Sequence, residues 1–190
     1  LQNLPSAVRI ARRKDLSRYC LQQAGIKVPA FTVLEPGDDD SLASPDFGFP
    51  CVIKPLALSG SRGVIRADSN NSFNTGVKRR LNITSETNDL YEKSHLLIEQ
   101  FIPGREFAIE GMLSDGMIEI LAIFDKPDPL DGPYFEETFY VSPARITKDE
   151  KRLIVETVQN ACSAYGLTMG PVHAECRINE QGAWLIELAA

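Results

Sequence analysis

Along the chain, apolar residues fall into short runs and alternations separated by turn residues. Cys51-Val52-Ile53 and Leu96-Leu97-Ile98 are continuous apolar runs of strand length, and each ends in a charged residue, Lys54 and Glu99. Shorter strands are expected at Phe31 to Leu34 and at Val64 to Ala67. Alternation runs from Arg105 to Leu113, and Asp115-Gly116 is a hairpin turn into Met117 to Phe124. A last pair, Val172 to Ile178 and Ala183 to Leu188, is joined by Asn179-Glu180-Gln181-Gly182.

Two segments carry helical periodicity. Asp15 is placed to cap a helix in which Leu16, Tyr19, Cys20 and Ala24 share a face, with Gly25 as its stop. Thr147 and Glu150 form a capping box that opens a helix through Leu153, Ile154, Val158, Ala161, Cys162 and Tyr165, ended by Gly166. Residues 70 to 93 are polar and helical in parts. The acidic run Asp38-Asp39-Asp40 reads as a solvated loop, and Asp125 to Glu137 as irregular. Hairpins with separate helices give an α+β class with mainly antiparallel sheets.

The composition narrows the function. Of 190 residues, 43% are hydrophobic and 24% charged, enough for a real core. The net charge of -6 lacks the concentrated basic face of a general nucleic-acid binder, but one nucleotide site needs only a few local cations. Cys20, Cys51, Cys162 and Cys176 show no CxxC spacing, so they read as small core residues of a reducing compartment, the cytoplasm, rather than zinc ligands. No apolar run approaches the ~18 to 20 residues of a membrane span. The chain opens in mid-pattern at Leu1 and stops on a strand, so it is expected to be a piece of a longer protein, with a homodimer as one expectation for the whole.

The last hairpin has a geometry that can be worked out. His173, Glu175 and Arg177 share one strand face, and on the partner strand Leu185 and Glu187 share a face. A three-residue loop, Glu180-Gln181-Gly182, would place Glu175 opposite Glu187. Two carboxylates roughly 4.5 to 5.5 Å apart at Cβ repel, and such a pair suits Mg²⁺, which combines one or two carboxylates with phosphates. The alternative is a solvated strand face on which Glu175 pairs with Arg177 or a neighbour.

Lys54 closes a buried run, where its ammonium needs an anion. The loop after it, Ser59-Gly60-Ser61-Arg62-Gly63, has the small residues that let backbone N–H groups approach a phosphate, or that simply turn a hairpin. It matches neither the P-loop nor the dinucleotide-binding fingerprint. Glu106 follows the Pro103-Gly104 break and shares a face with Glu110, facing either ribose hydroxyls or water.

Together these residues resemble the ATP-grasp superfamily over about residues 14 to 190. The ordered series is Lys14-Asp15, Val52-Ile53-Lys54-Pro55, Ser59 to Val64, Leu97 to Glu106, His173-Ala174-Glu175 and Leu185-Ile186-Glu187-Leu188. The resemblance implies two α+β subdomains gripping ATP between antiparallel sheets: a leading segment and helix over residues 1–27, a small lid over 28–101, and a large subdomain over 102–190, incomplete at its end. It implies that Lys14 and Lys54 reach the nucleotide and that Ser59, Gly60, Ser61, Arg62 and Gly63 fold over the phosphates. Glu99, Gln100, Phe101 and Ile102 would form the adenine hinge, with backbone groups of Gln100 and Ile102 reading the base. Glu106 would hold the ribose. Glu175 and Glu187 would bind one or two Mg²⁺ ions, with Mn²⁺ as a substitute.

The chemistry implied is phosphorylation of a carboxylate by ATP to an acyl phosphate that an amine then attacks. Lys126 and Arg145 are candidates for stabilising the transferring group, or are surface ion pairs. The style is closest to carboxylate–amine ligases and the carbamoyl-phosphate synthetase large chain, so small carboxylate and amine substrates are expected. The alternatives are a bicarbonate-using enzyme of the latter type and a non-catalytic ATP-binding module. Ala189 favours the last, because the family often has asparagine there.

Overall fold

The computed structural model describes residues 3–35, 44–84, 89–135 and 139–190. The acidic run Asp38 to Asp40, and Glu136 and Glu137 of the segment expected to be irregular, with Thr138 after it, lie outside the described residues. The helices are α1 (Pro5–Arg12), α2 (Lys14–Gln23), α3 (Asn70–Thr84), α4 (Leu90–Ser94) and α5 (Lys148–Tyr165). The strands are β1 (Phe31–Leu34), β2 (Cys51–Pro55), β3 (Ile65–Ala67), β4 (Leu96–Gln100), β5 (Arg105–Ser114), β6 (Met117–Lys126), β7 (Gly170–Asn179) and β8 (Gly182–Ala189). They form two four-stranded sheets, ordered β1-β4-β2-β3 and β6-β5-β7-β8, with antiparallel neighbours throughout. The chain divides into two compact units, one of residues 1–28, 102–129 and 137–190, the other of residues 29–101 and 130–136.

In the first unit, one face of the β6-β5-β7-β8 sheet is the core. Phe107, Ile109, Val172, Ala174, Cys176, Leu185 and Leu188 pack there against Ile154, Val158, Ala161, Cys162 and Tyr165 of α5. The α5 residues recur at helical spacing, so one stripe is apolar and the opposite face is solvated. Thr147 caps this helix in a capping box with Glu150, and Gly166 ends it in the left-handed conformation, as its sequence predicts. In the second unit, Cys51, Ile53, Ala67, Leu96 and Ile98 pack against Phe73 and Val77 of α3. Cys51, Cys162 and Cys176 are buried free thiols, and Cys20 is half-buried.

The start of the chain differs from expectation. Helix α1, opened by Pro5, was not foreseen; it buries Ala7 and Ala11 in the first unit's core. In α2, Asp15 is not the cap: Arg13 occupies that position without a side-chain cap, and Asp15 in the first turn accepts two hydrogen bonds from the Arg13 guanidinium at 2.7 and 2.9 Å. The buried face is also not the apolar one. Lys14, Ser17, Arg18 and Leu21 are buried, whereas Tyr19 is 46% exposed. Specific partners override the apolar pattern here: Arg18 donates to the Ile186 carbonyl at 2.7 Å, and Ser17 hydrogen-bonds the Tyr165 hydroxyl.

The terminal hairpin pairs Glu175 with Glu187, but by another route than a three-residue loop. Asn179 pairs with Gly182, so the loop is the two residues Glu180 and Gln181, and the register shifts by one between Cys176 and Glu175. Ile186 is the extra residue of this bulge. Leu185 therefore stays on the core face opposite Cys176, instead of sharing a face with Glu187. The strand β6 likewise continues through Asp125 and Lys126, which were expected to be irregular; Asp125 exchanges two backbone hydrogen bonds with Val141, at 2.9 and 3.0 Å.

The chain enters β5 through Gly104, with φ 135°. A Cβ there would lie 2.3 Å from the carbonyl oxygen of Ile178, a backbone atom that cannot yield. Gly104→Ala is expected to cost about 2 kcal/mol or more in urea unfolding, from strain and overpacking. A loss under about 0.5 kcal/mol would show that the backbone approach is not close.

Candidate functional site

The polar face of the β6-β5-β7-β8 sheet carries a row of charges set by register. Glu106 on β5 lies opposite Lys126 on β6 and Arg177 on β7, Glu110 opposite His173, and Glu175 opposite Glu187. Lys126 Nζ is the hub, 2.9 Å from Glu106 Oε1 and 2.6 Å from Glu175 Oε1, with its side chain only 1% exposed. Arg177 Nε donates to Glu106 Oε2 at 2.6 Å, and another of its nitrogens donates to the Ile102 carbonyl at 2.7 Å. Lys14, in the first turn of α2, reaches Glu187 Oε1 at 2.9 Å. Buried charges persist only when paired and hydrogen-bonded, and each of these carboxylates has a cationic partner.

His173 lies between two acids. Its Nδ1 is 2.7 Å from Glu110 Oε1, while its Nε2 is 3.7 Å from Glu175 Oε1, an ion pair beyond hydrogen-bond reach. Glu175 raises the imidazole most, burial opposes, and Glu110 adds to the rise, which leaves its pKa at about 9. For Glu175, burial works upward, but His173 and the Lys126 ammonium outweigh it and hold the carboxyl at about 2.

Beside this row, Gly104, Arg105, Glu106, Asp125, Lys126, Pro127 and Arg145 are among the residues lining a cleft of about 500 Å³. Lys126 and Arg145 thus meet at one cleft, although the Arg145 side chain is 86% exposed. The backbone N–H of Arg145 donates to Asp125 Oδ2 at 2.7 Å, and its carbonyl accepts from Arg105. Arg105 also reaches Asp125 and Glu150, each at 3.2 Å. Arg177, Asp125 and Arg105 were not among the sequence candidates. Arg177 could have been found from its place on the Glu175 face, and Asp125 from the β6 alternation carried two residues further.

The second unit carries the other candidates. Lys54 Nζ lies 2.6 Å from Glu99 Oε2, with the two side chains 9% and 2% exposed. The anion that the buried lysine requires is therefore Glu99 on the neighbouring strand. The loop of Ser59, Gly60, Ser61, Arg62 and Gly63 joins β2 to β3. Gly60, Ser61 and Gly63 take left-handed φ values of 65°, 53° and 73°, and exposed Arg62 donates to the Ser59 carbonyl at 3.3 Å. In the hinge segment, the N–H of Gln100 donates to Ala30 and that of Phe101 to Pro50. Phe101 and Ile102 are buried, and the boundary between the two units falls between them.

The shifted titrations give a pH signature for the protein without nucleotide. His173 is raised from 6.5 to about 9, so its ion pairs stabilise the fold fully below about 6.5 and are lost as pH rises through 9. Glu175 is lowered from 4.5 to about 2, so its share is present above 4.5 and lost as pH falls towards 2. Melting temperature should decline between pH 6.5 and 9, and His173→Gln should flatten that decline. An equal decline in the variant would assign the alkaline loss to other groups.

The chain matches the ATP-grasp domain family over residues 47–190. It is 27% identical to an alanine–anticapsin ligase of Bacillus subtilis, over 95% of this chain and 41% of that protein. Its fold superposes on the crystal structure of an L-amino acid ligase from Bacillus licheniformis with a TM-score of 0.87 and 31% identity, over 100% of this chain and 45% of that one. It is also similar, at a TM-score of 0.73 and 17% identity, to a D-alanine–D-alanine ligase from Bacillus anthracis complexed with ATP, over 98% of this chain and 56% of that one. The chain spans half or less of the length of the first curated relatives it matches. That match, over three quarters of the sequence, makes this chain a member of the ATP-grasp domain family.

Proposed function

We propose that this chain is the Mg-ATP-binding part of an ADP-forming ligase that phosphorylates a small carboxylate and passes the acyl group to an amine. The observation that carries the reading is the in-register pair Glu175 and Glu187, set beside the Lys126–Glu106–Arg177 row on one sheet face. The amino-acid ligases among its relatives support the carboxylate–amine chemistry over a bicarbonate-using one. The D-alanine–D-alanine ligase bound to ATP supports the nucleotide. The protein is expected to work in the cytoplasm, where ATP is plentiful; among the described residues no helix is long and apolar enough to cross a membrane.

The donor set fits Mg²⁺ held jointly with phosphates. Among the described residues no group of three or more His, Cys, Asp or Glu forms an all-protein cage, and Mg²⁺ characteristically takes one or two carboxylates plus phosphate oxygens. Glu175 and Glu187 would hold it, and the ion would neutralise charge on the transferring phosphoryl group. Lys14 and Lys54 would meet phosphate oxygens, and the Ser59-Gly60-Ser61-Arg62-Gly63 loop would offer them backbone N–H groups. Glu106 would accept from the ribose hydroxyls on lone pairs left over from Lys126 and Arg177. With the Gln100 N–H engaged by Ala30, the carbonyl of Gln100 is the group left for the adenine edge, beside the N–H of Ile102. Lys126 and Arg145, at one cleft, would stabilise the phosphoryl group in transfer.

Ala189 supports a second reading, a binding module without turnover, because it places a methyl group opposite His173 where a further oxygen ligand could stand. Titration calorimetry with AMP-PNP, with and without Mg²⁺, tests binding: Mg²⁺-dependent heat that Glu175→Ala abolishes is expected. In the full-length protein, Glu187→Gln should lower Mg²⁺-dependent ADP formation by at least about 100-fold with the fold intact. Unchanged turnover would remove Glu187 from the metal site. ADP release that requires an amino acid, rather than bicarbonate, separates the two enzymatic chemistries, and no release with either leaves the binding module.

A further inference from the structure

Each member of the Glu175–Glu187 pair is already held by a lysine. Lys14 Nζ lies 2.9 Å from Glu187 Oε1, and Lys126 Nζ lies 2.6 Å from Glu175 Oε1. The lysines come from unrelated elements, the first turn of α2 and the end of β6, yet they converge on one cross-strand pair. Neither is loosely placed: the Lys14 side chain is 9% exposed and that of Lys126 1%. The helix that carries Lys14 is tied to β8 by Arg18, which donates to the carbonyl of Ile186, the residue beside Glu187. Opposed carboxylates repel, and the two ammonium groups relieve that repulsion.

A divalent ion arriving alone would compete with these ammonium groups for the same carboxylate oxygens. Displacing them gives up two close ion pairs and crowds like charges: Lys126 keeps Glu106 at 2.9 Å, but the ion brings no anion of its own, so metal alone is disfavoured. A polyphosphate changes the balance, because its oxygens accept both the metal and the displaced lysines.

We propose that Lys14 and Lys126 are placeholder cations that make divalent-metal binding at Glu175 and Glu187 conditional on a polyphosphate ligand. This rests on the metal reading given under the proposed function. By linkage, the factor by which nucleotide tightens metal binding equals the factor by which metal tightens nucleotide binding, so removing a placeholder must shrink both.

Mn²⁺ binding to the full-length protein, followed by the paramagnetic resonance of the free ion, tests this without turnover. It is measured without nucleotide and with AMP-PNP, with the Mn²⁺ held by free nucleotide subtracted. The wild-type protein should bind Mn²⁺ at least about tenfold more tightly with AMP-PNP. Lys14→Met should bind Mn²⁺ alone about tenfold more tightly than wild type, as expected for one charge removed beside a partly buried carboxylate. Lys14→Arg should restore wild-type behaviour, and Lys148→Met, at the exposed start of α5, should leave it unchanged. Lys14→Gln is read by the same criteria if the methionine variant does not fold. Unchanged or weaker Mn²⁺ binding in Lys14→Met and Lys14→Gln, while AMP-PNP still draws Mn²⁺ to the wild type, overturns the placeholder role and leaves the metal site standing. Equal tightening in Lys148→Met also overturns it, because net charge alone would then suffice. No Mn²⁺ binding to the wild type even with AMP-PNP overturns the metal reading itself, and the proposal with it.

Discussion

Two carboxylates held opposite each other on β7 and β8 are the constraint to which the rest of the first unit answers. Like charges at that spacing repel, and the sheet beneath them is too buried for water to screen them fully. Lys126, Lys14 and His173 supply the opposing charge, and each in turn dictates something nearby. Lys126 must stay extended at the end of β6, so β6 runs two residues further than its composition suggests, with Asp125 locked to Val141. Lys14 must point inward, so α2 buries a polar face and leaves Tyr19 in solvent. Glu106 and Arg177 extend the alternation of sign across three strands.

The second unit repeats the device on a smaller scale. Lys54 and Glu99 are both nearly buried on adjacent strands and close on each other at 2.6 Å. Such a pair adds little net stability, because desolvation of both ions offsets most of their attraction. What it does is hold a lysine extended in an apolar sheet, its ammonium against a carboxylate. Each unit thus sets ammonium groups against glutamates within its own sheet.

Much of this was legible in the sequence because it depends on short-range pattern. Strand positions followed from apolar runs and alternation, and α5 from Thr147, Glu150 and Gly166, whose roles are local. The charges facing one another across β5, β6 and β7 were less legible. Periodicity places Glu106 and Arg177 on faces but does not say which strands become neighbours, and β5 pairs with β7 across α5 in sequence. Helix α1 escaped notice because only Ala7 and Ala11, two small residues, mark its buried side. The buried face of α2 was misassigned because hydrophobicity is a poor guide where a helix packs on a charged site: Arg18 outranks Leu16 once the Ile186 carbonyl is within reach.

The hairpin shows why the right pair could come from the wrong loop. A three-residue loop and a two-residue loop followed by a bulge both set Glu175 opposite Glu187, since each adds one residue to the β8 side. They differ in what happens before the shift. Without the bulge, Leu185 would turn to the charged face and Trp184 to the core. With Ile186 as the extra residue, Leu185 and Leu188 both reach the core, although three positions apart would place them on opposite faces of a regular strand. A strand that serves a packed core along its whole length and a charged site at one end needs a change of parity between the two tasks. The bulge at Ile186 is that change, and it lies next to the glutamate it presents.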